Sequence, residues 1–288
     1  MTERGTIAIT GAGGQLGRAL VGMLGRRALP LPRAALDVTD PAAVRRLIAE
    51  AAPAVVINCA AWTNVDKAES EPGACRAANE AAVAALAAAC ADVDALLVQV
   101  STDYVFGRDV GRREPWREED PTCPAGTYAA TKLAGEAAAR GWRRHQIVRT
   151  CGLYSVGPEG PVRGRNFADT MLVLARDRPE LRVVADQHCT PSYVPHVAAA
   201  ILALAEEGTP GTYHATNAGA TTWHGFATEL FRQAGLATTV TAIASADWPS
   251  PVARPPYSVL DCSRLAALGI VLPDWREGIA AYLAAGTG

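Results

Sequence analysis

The chain of 288 residues carries 27 Lys and Arg against 29 Asp and Glu, and 49% of its residues are hydrophobic. A formal net charge of −2 offers no electrostatic footprint for nucleic acid or for an anionic membrane, and no run of about 18 apolar residues is present that could cross a bilayer. Residues 1–5 lead directly into an apolar segment without the features of a signal peptide. We therefore expect a cytoplasmic protein with a small-molecule partner.

The cysteines and histidines give no sign of a metal centre. The seven cysteines are widely spaced without a C-x-x-C pair, and the five histidines are also dispersed. This pattern favours reduced thiols over a disulfide framework, and no metal site is predicted.

Short apolar strands alternate with helical patterns along most of the chain. Strand-like segments occupy residues 6–10, 28–31, 55–58, 96–100, 146–148, 181–184 and 212–215. Helical periodicity covers residues 14–25, 73–90, 166–176 and 196–207. This alternation predicts an α/β protein with a Rossmann-type, doubly wound parallel sheet. We expect residues 1–150 to form an NAD(P)-binding domain, to which the strands at 181–184 and 212–215 return, and residues 151–288 to form mainly a smaller C-terminal substrate-binding lobe.

A glycine-rich turn follows the first predicted strand and opens the first predicted helix. Gly11, Gly14 and Gly17 have the spacing G-x-x-G-x-x-G, with Gln15 and Leu16 between the last two. Glycine lets the backbone turn tightly and approach a pyrophosphate, which the free N–H groups at the helix N-terminus then bind. The turn predicts a dinucleotide site; an ordinary Gly-rich β–α turn is the alternative.

The residues after the second predicted strand bear on the choice between NADPH and NADH. An acidic residue directly after that strand would favour NAD, whereas here Arg33 comes first and Asp37 follows it. Because Arg33 can face a 2′-phosphate, NADPH is the expected cofactor, and NADH is also compatible. A solvated Arg33 that contacts no ligand is the alternative.

Three polar residues predict proton-transfer chemistry. Tyr128 and Lys132 lie four residues apart at the start of a predicted helix, so both side chains project from one face. We expect the Lys132 ammonium to lower the phenol pKa from about 10 and so make Tyr128 a proton donor near neutral pH. Lys132 would also hold the nicotinamide ribose. Thr102, after the apolar strand 96–100, is predicted to hydrogen-bond a substrate carbonyl.

Together these motifs resemble the dTDP-4-dehydrorhamnose reductase family of the extended short-chain dehydrogenase/reductase superfamily, almost from end to end. The segments that carry the resemblance are 11–17, 58–69, 101–106, 128–132, 166–167, 170–172, 186–187 and 254–255. The resemblance implies reduction of a dTDP-4-keto-6-deoxyhexose by NADPH or NADH, with Thr102, Tyr128 and Lys132 as catalytic residues. Since related reductases are often dimers, a homodimer is one option, and no carboxylate cluster marks a bridging divalent ion.

The resemblance also implies the binding residues. On the cofactor these are Asp37 and Val38 near the adenine and Ala60, Ala61 and Thr63 on the nicotinamide side. On the substrate they are Thr102, Asp103, Asn166, Phe167, Gln187 and Arg254. Asn166 would hold the nucleotide, and the Arg254 guanidinium suits the diphosphate; the alternative for Arg254 is that it orders only its own loop.

The chain departs from the family pattern around the expected sugar. Where the family usually reads R-T-S-W-V-Y, residues 149–154 read R-T-C-G-L-Y, so Gly152 replaces the sugar-facing Trp. The usual D-Q-x-G-x-P-T becomes D-Q-H-C-T-P-S at residues 186–192. We therefore expect a 4-ketosugar reductase whose product is not necessarily dTDP-L-rhamnose.

Two other functions share much of this pattern. A nucleotide-sugar epimerase has the same glycine turn, tyrosine and lysine but shows no net cofactor consumption, and a non-catalytic NADP-binding regulatory subunit keeps the cofactor site without turnover. The complete set of Thr102, Tyr128 and Lys132 favours catalysis. A 4,6-dehydratase is disfavoured, because Asp103 is followed by Tyr104 and not by a second acid.

Overall fold

The computed structural model describes residues 5–157, 162, 164–248 and 250–286. The strands in these ranges are β1 (Ile7–Thr10), β2 (Ala28–Leu31), β3 (Val55–Asn58), β4 (Leu96–Thr102), β5 (His145–Thr150), β6 (Glu180–Val184), β7 (His188–Cys189), β8 (Gly211–His214), β9 (Thr221–Thr222) and β10 (Thr239–Ile243). Six of them form a parallel sheet in the order β2-β1-β3-β4-β5-β8. The expected α/β fold with a parallel Rossmann-type sheet is confirmed.

Helices connect the strands and cover both faces of this sheet. They are α1 (Gln15–Leu24), α2 (Pro41–Ala51), α3 (Val65–Ser70), α4 (Pro72–Arg76), α5 (Ala82–Asp92), α6 (Gly126–Arg140), α7 (Phe167–Ala175), α8 (Val194–Glu207), α9 (Trp223–Ala234), α10 (Ser263–Ala266) and α11 (Trp275–Ala285). A π-helical stretch, Ala77–Ala81, continues α4 into α5. No helix of the described ranges has the length and apolarity needed to span a membrane.

The sheet has an apolar layer on each face because successive strand residues point in opposite directions. In β1, Ile7 and Ile9 pack with α1 and α8, whereas Ala8 packs with α2 and α5 on the opposite face. Both faces of the strand are therefore buried, which explains why the central strands read as continuous apolar runs and not as alternating ones.

The C-terminal part of the chain adds a smaller lobe with two short sheets. β6 pairs in parallel with β10, and β7 pairs antiparallel with β9. β8 instead lies beside β5 at the edge of the central sheet. The expectation that the strand at 181–184 also returns to the central sheet was wrong. In β6, Leu181 and Val183 are buried but Glu180 and Arg182 are exposed. A strand with one solvent-exposed face is not compatible with a central position in a sheet that is covered by helices on both faces.

A close backbone approach holds α6 against the π-helical stretch. A Cβ atom at Gly135 would lie 2.1 Å from the carbonyl oxygen of Asn79. The Asn79 side chain is itself fixed, since it accepts from the Trp62 backbone N–H at 2.9 Å and donates to the Thr131 hydroxyl at 3.2 Å. The absence of a side chain at position 135 thus sets the distance between α6 and the neighbouring helix.

We predict that Gly135→Ala lowers the free energy of unfolding by about 1–3 kcal/mol, the usual cost of overpacking a filled interior. The measurement is the midpoint of urea unfolding. Gly22→Ala is the matched control, because Gly22 is an exposed helical glycine with open space around its Cβ position, where alanine should stabilise by about 0.5–1 kcal/mol. Equal midpoints for the two variants would contradict the assigned packing.

Candidate active site

A cavity of about 1150 Å³ lies at the carboxyl ends of the central strands. In open parallel sheets this edge is the usual ligand site. All the residues predicted to bind cofactor line the cavity, together with Thr102 and Asp103: Gly11, Gly14, Gln15, Leu16, Gly17, Arg33, Asp37, Val38, Ala60, Ala61, Thr63, Tyr128 and Lys132. The fold therefore brings the cofactor-type and proton-transfer residues to one place.

Close backbone contacts leave no room for side chains at two positions of the glycine-rich turn. Gly11 has φ +63°, and a Cβ there would lie 2.7 Å from the Ala60 nitrogen. A Cβ at Gly17 would lie 2.4 Å from the Gly11 carbonyl oxygen. Gly14 caps α1 without any side-chain hydrogen bond, so the first N–H groups of the helix are available to an anion.

The two charged residues after β2 hold different positions at the cavity rim. The Arg33 guanidinium is 90% exposed and lies 4.0 Å from the Asp37 carboxylate. Asp37 accepts hydrogen bonds from the Thr39 hydroxyl at 2.7 Å and the Thr39 N–H at 3.0 Å. These bonds hold the pKa of Asp37 below its ordinary value. Arg33 is thus a solvated cation beside a fixed carboxylate, where a phosphate can compete for it.

Thr102, Tyr128 and Lys132 meet at the end of β4. Thr102 is the last residue of β4 and is paired with Thr150 of β5. Its hydroxyl donates to Asp103 Oδ1 at 3.1 Å and accepts from the Tyr104 N–H at 3.2 Å. Lys132 Nζ donates to the Val100 carbonyl oxygen at 2.6 Å, which directs the ammonium toward the strand that carries Thr102.

Burial sets the protonation of this group. It raises the pKa of Tyr128 to about 12, even though the nearby Thr102 hydroxyl favours the ionised phenol. It lowers the pKa of Lys132 to about 8, and the Glu136 carboxylate opposes that change. The expectation that Lys132 lowers the Tyr128 pKa was therefore wrong for the protein alone, because removal of the phenol from water outweighs the other influences. At neutral pH Tyr128 keeps its proton and Lys132 is mainly charged.

A buried ion pair, which sequence reasoning missed, lies beneath α6, the helix that carries Tyr128 and Lys132. Glu136 is fully buried and accepts two hydrogen bonds from Arg149 of β5, at 2.9 and 2.8 Å. It accepts a third from the Ser101 hydroxyl of β4 at 2.7 Å. Burial alone would raise the pKa of Glu136, but the bonds and charge of Arg149 outweigh burial and hold that pKa below its ordinary value. The helix is thereby fixed to both strands below Thr102.

A second carboxylate, also missed, caps the first turn of α6. Glu69 of α3 accepts hydrogen bonds from the Thr127 N–H at 2.6 Å and from the Thr127 hydroxyl at 3.0 Å. The residue at the cap position, Ala125, offers no side-chain acceptor, so Glu69 satisfies a helix N–H that would otherwise be unpaired and adds a favourable charge at the positive end of the helix dipole. The only sequence signal was an acidic residue within the family-like segment 58–69.

Four of the predicted substrate residues do not line the cavity, and each has an internal partner. Asn166 caps α7 by accepting from the Asp169 N–H at 2.8 Å. The Phe167 ring packs on Trp223 with centroids 4.7 Å apart. Gln187 donates to the Ser245 hydroxyl at 2.9 Å.

Arg254 is the fourth of these residues and is held by α3. Its Nη2 pairs with Asp66 Oδ1 at 2.8 Å. Its Nη1 is buried and has no hydrogen-bond acceptor among the described residues. Because an unpaired buried donor is costly, this nitrogen is suited to an anionic ligand.

The comparisons with known proteins place this chain in a family. A family model described as the RmlD substrate binding domain matches residues 5–287. The chain belongs to the RmlD family. The resemblance drawn from the sequence is thereby confirmed.

Its relatives in the RmlD family match over nearly their whole length. A dTDP-4-dehydrorhamnose reductase from Streptomyces griseus is 44% identical over 287 residues, which cover 94% of this chain and 90% of that relative. The crystal structure of a dTDP-4-dehydrorhamnose reductase from Clostridium acetobutylicum has a TM-score of 0.92 at 37% identity and covers 98% of this chain and 100% of that one. A Bacillus anthracis dTDP-4-dehydrorhamnose reductase in complex with NADP also has a TM-score of 0.92, at 34% identity, covering 98% and 99%.

Gly152, where the RmlD-family resemblance leads one to expect Trp, has a distinct local structure. Its φ is +51°, and a Cβ there would lie 3.0 Å from the tip of the Trp223 ring and 3.1 Å from Pro191 Cα. Gly152 lines the cavity, so the wall is bare backbone at this point. Trp223, contributed by α9, lies directly behind it.

We predict that Glu69→Ala lowers the free energy of unfolding by about 0.5–2 kcal/mol, the usual cost of losing a helix cap. Glu69→Gln should recover most of this stability, since its amide oxygen can still accept from Thr127. Thermal unfolding checks both. Glu71→Ala is the control, because Glu71 pairs with Lys67 at 2.8 Å on the surface and contributes no side-chain cap. A loss for Glu69→Ala no larger than for Glu71→Ala would contradict the capping role.

Proposed function

We propose that this protein reduces the 4-keto group of a dTDP-4-keto-6-deoxyhexose with NADPH, in deoxysugar biosynthesis. The observation that carries the proposal is the convergence of Thr102, Tyr128 and Lys132 in the same cavity as the glycine-rich turn. Support also comes from relatives of 39–44% identity that are named dTDP-4-dehydrorhamnose reductase and from a structure of similar fold that was solved with NADP. We place the reaction in the cytoplasm, with no nucleic acid or membrane partner.

The residues present fit a dinucleotide. The Gly11 and Gly17 positions leave no room for a side chain, and the uncapped start of α1 can bind the pyrophosphate. Arg33 can pair with a 2′-phosphate, and we assign Asp37 and Val38, which line the same cavity, to the adenine end. NADPH, when bound, supplies the hydride that reduces the carbonyl carbon.

The chain's own residues supply the proton and hold the carbonyl. Tyr128 is protonated at neutral pH, so its Oη can donate a proton to the carbonyl oxygen as negative charge develops there. Thr102 Oγ1 can turn its hydroxyl proton from Asp103 to the same oxygen. Lys132 uses one N–H on the Val100 carbonyl oxygen, which leaves two donors for the nicotinamide ribose and for stabilising the ionised Tyr128.

The substrate's nucleotide part is assigned to residues of the C-terminal lobe. The buried, unpaired Nη1 of Arg254 is the strongest candidate for the diphosphate. Asn166, Phe167 and Gln187 lie outside the lining of the cavity, so their roles require either direct contact with the far end of a long substrate or support of the residues that contact it. Bare Gly152 faces the sugar and leaves the choice of ketosugar open to a product other than dTDP-L-rhamnose.

The test of the proposed function is a turnover assay on dTDP-4-keto-6-deoxyhexoses with both nicotinamide cofactors. We expect stoichiometric loss of NADPH absorbance and a 4-hydroxy product, whose configuration NMR determines. Tyr128→Phe should lower kcat by at least about 100-fold, the usual contribution of general acid catalysis, and should still bind NADPH. Isomerisation without net loss of NADPH would indicate an epimerase, and NADPH binding without turnover would indicate a regulatory subunit.

Arg33 tests the cofactor preference. We predict that Arg33→Ala reduces the ratio of kcat/KM for NADPH to that for NADH by about 5- to 30-fold, because a charge-assisted hydrogen bond to phosphate at a partly solvated site is worth about 1–2 kcal/mol. Arg18→Ala is the control: Arg18 also lines the cavity, but its guanidinium donates to the Gly13 carbonyl oxygen. An unchanged ratio in Arg33→Ala would refute the 2′-phosphate role.

A further inference from the structure

Gln15 joins the glycine-rich turn to the C-terminal lobe through one oxygen atom. Its Oε1 accepts hydrogen bonds from the Ser155 N–H at 3.1 Å, the Ser155 hydroxyl at 3.0 Å and Asn166 Nδ2 at 3.0 Å. Its Nε2 lies 3.4 Å from the Arg165 carbonyl oxygen, to which it donates. All four bonds cross about 140–150 residues of sequence, so they connect two distant parts of the chain.

The chemistry of the neighbours fixes the orientation of this amide. Three donors surround Oε1 and one carbonyl faces Nε2, so an exchanged oxygen and nitrogen would place donor against donor. A carbonyl oxygen has two lone pairs, and three donors occupy it fully. These hydrogen bonds therefore fix the orientation of the Gln15 amide and also the positions of Ser155 and Asn166.

Each end of this connection leads to a functional region. Gln15 is the first residue of α1, directly after the Gly14 cap, and its backbone belongs to the helix turn that is available to an anion. On the other side, Asn166 caps α7 through the Asp169 N–H and also donates to the Ser155 carbonyl oxygen at 3.0 Å. The Gln15 amide thus links the anion-binding turn to the start of α7 and to the segment that follows Gly152.

We propose that Gln15 is a positioning residue that couples occupancy of the cofactor site to the order of Ser155, Asn166 and the start of α7, where residues assigned to the substrate lie. A bound pyrophosphate fixes the Gln15 backbone. Because the backbone is then already fixed, the Gln15 side chain loses less conformational entropy when it hydrogen-bonds Ser155 and Asn166. By reciprocity, an ordered lobe tightens cofactor binding by the same factor. The consequence for the substrate rests on the proposed function, whereas the coupling itself requires only that the cofactor binds.

Two substitutions separate coupling from cofactor affinity. Gln15→Met keeps the length of the side chain but removes the acceptor, so it should lose coupling. Because Gln15 itself lines the cofactor cavity, the affinity of this variant for NADP⁺ is measured separately and coupling is compared at saturation. Gln15→Glu keeps an acceptor for Ser155 and Asn166 but places a negative charge near the pyrophosphate. It should therefore retain coupling and weaken NADP⁺ binding.

The experiment is hydrogen–deuterium exchange on the full chain, with and without saturating NADP⁺, read at the amides of α7. In the wild-type protein NADP⁺ should slow this exchange by about fivefold or more, the lower range of allosteric coupling. In Gln15→Met the slowing should disappear, and in Gln15→Glu it should persist at a higher saturating concentration. The unfolding temperatures of the variants without NADP⁺ are compared with that of the wild-type protein. Equal unfolding temperatures exclude a folding defect as the cause of a lost effect.

Three results would overturn the inference: no effect of NADP⁺ on α7 in the wild-type protein, an unchanged effect in Gln15→Met, or loss of the effect in Gln15→Glu at saturation. The exchange measurement uses NADP⁺ alone, so it does not depend on the ketosugar. A protein that shows coupling but no turnover of dTDP-ketosugars would retain this inference while the proposed function failed.

Discussion

The geometry of the site depends above all on the buried ion pair between Arg149 and Glu136. It ties the helix that carries Tyr128 and Lys132 to β5, while Ser101 ties the same carboxylate to β4. Removal of one partner from such a pair typically costs about 3–5 kcal/mol, because the remaining charge is buried without compensation. Since Thr102 ends β4, the same pair sets the spacing between the strand-end hydroxyl and the phenol.

The proposed cofactor and substrate sides of the site differ in how far the fold alone sets their shape. The cofactor side consists of β–α turns in which backbone contacts exclude side chains at Gly11 and Gly17, so its shape is set by the fold. On the substrate side most of the assigned polar residues already have internal partners, as Gln187 has in Ser245, whereas Arg254 Nη1 is buried without an acceptor among the described residues. A ligand on that side must replace these internal hydrogen-bond partners with its own groups. Each such contact therefore contributes little net binding free energy.

The sequence was sufficient for features that depend on local spacing. The glycine turn, the placement of Tyr128 and Lys132 on one helix at the cavity and the strand-end Thr102 could be predicted because each is a short pattern with a direct chemical meaning. Features that depend on long-range contact could not be predicted. The cap from Glu69 joins residues 58 positions apart, and the pKa of Tyr128 is governed by burial, which no local pattern reveals.

The error at β6 has the same origin. Alternation of apolar and polar residues identifies a strand but does not identify the strand beside it. The exposed positions Glu180 and Arg182 indicated a sheet with one solvent-exposed face.

The arrangement around Gly152 constrains how this pocket can evolve. Its left-handed backbone and its close neighbours, the Trp223 ring and Pro191, all oppose a side chain at that position. A tryptophan at position 152 would require Trp223 to move and would place a residue with a Cβ atom in a left-handed backbone conformation. Positions 152 and 223 are therefore coupled by packing, since the size of the side chain that position 152 can carry depends on the side chain that α9 provides next to it.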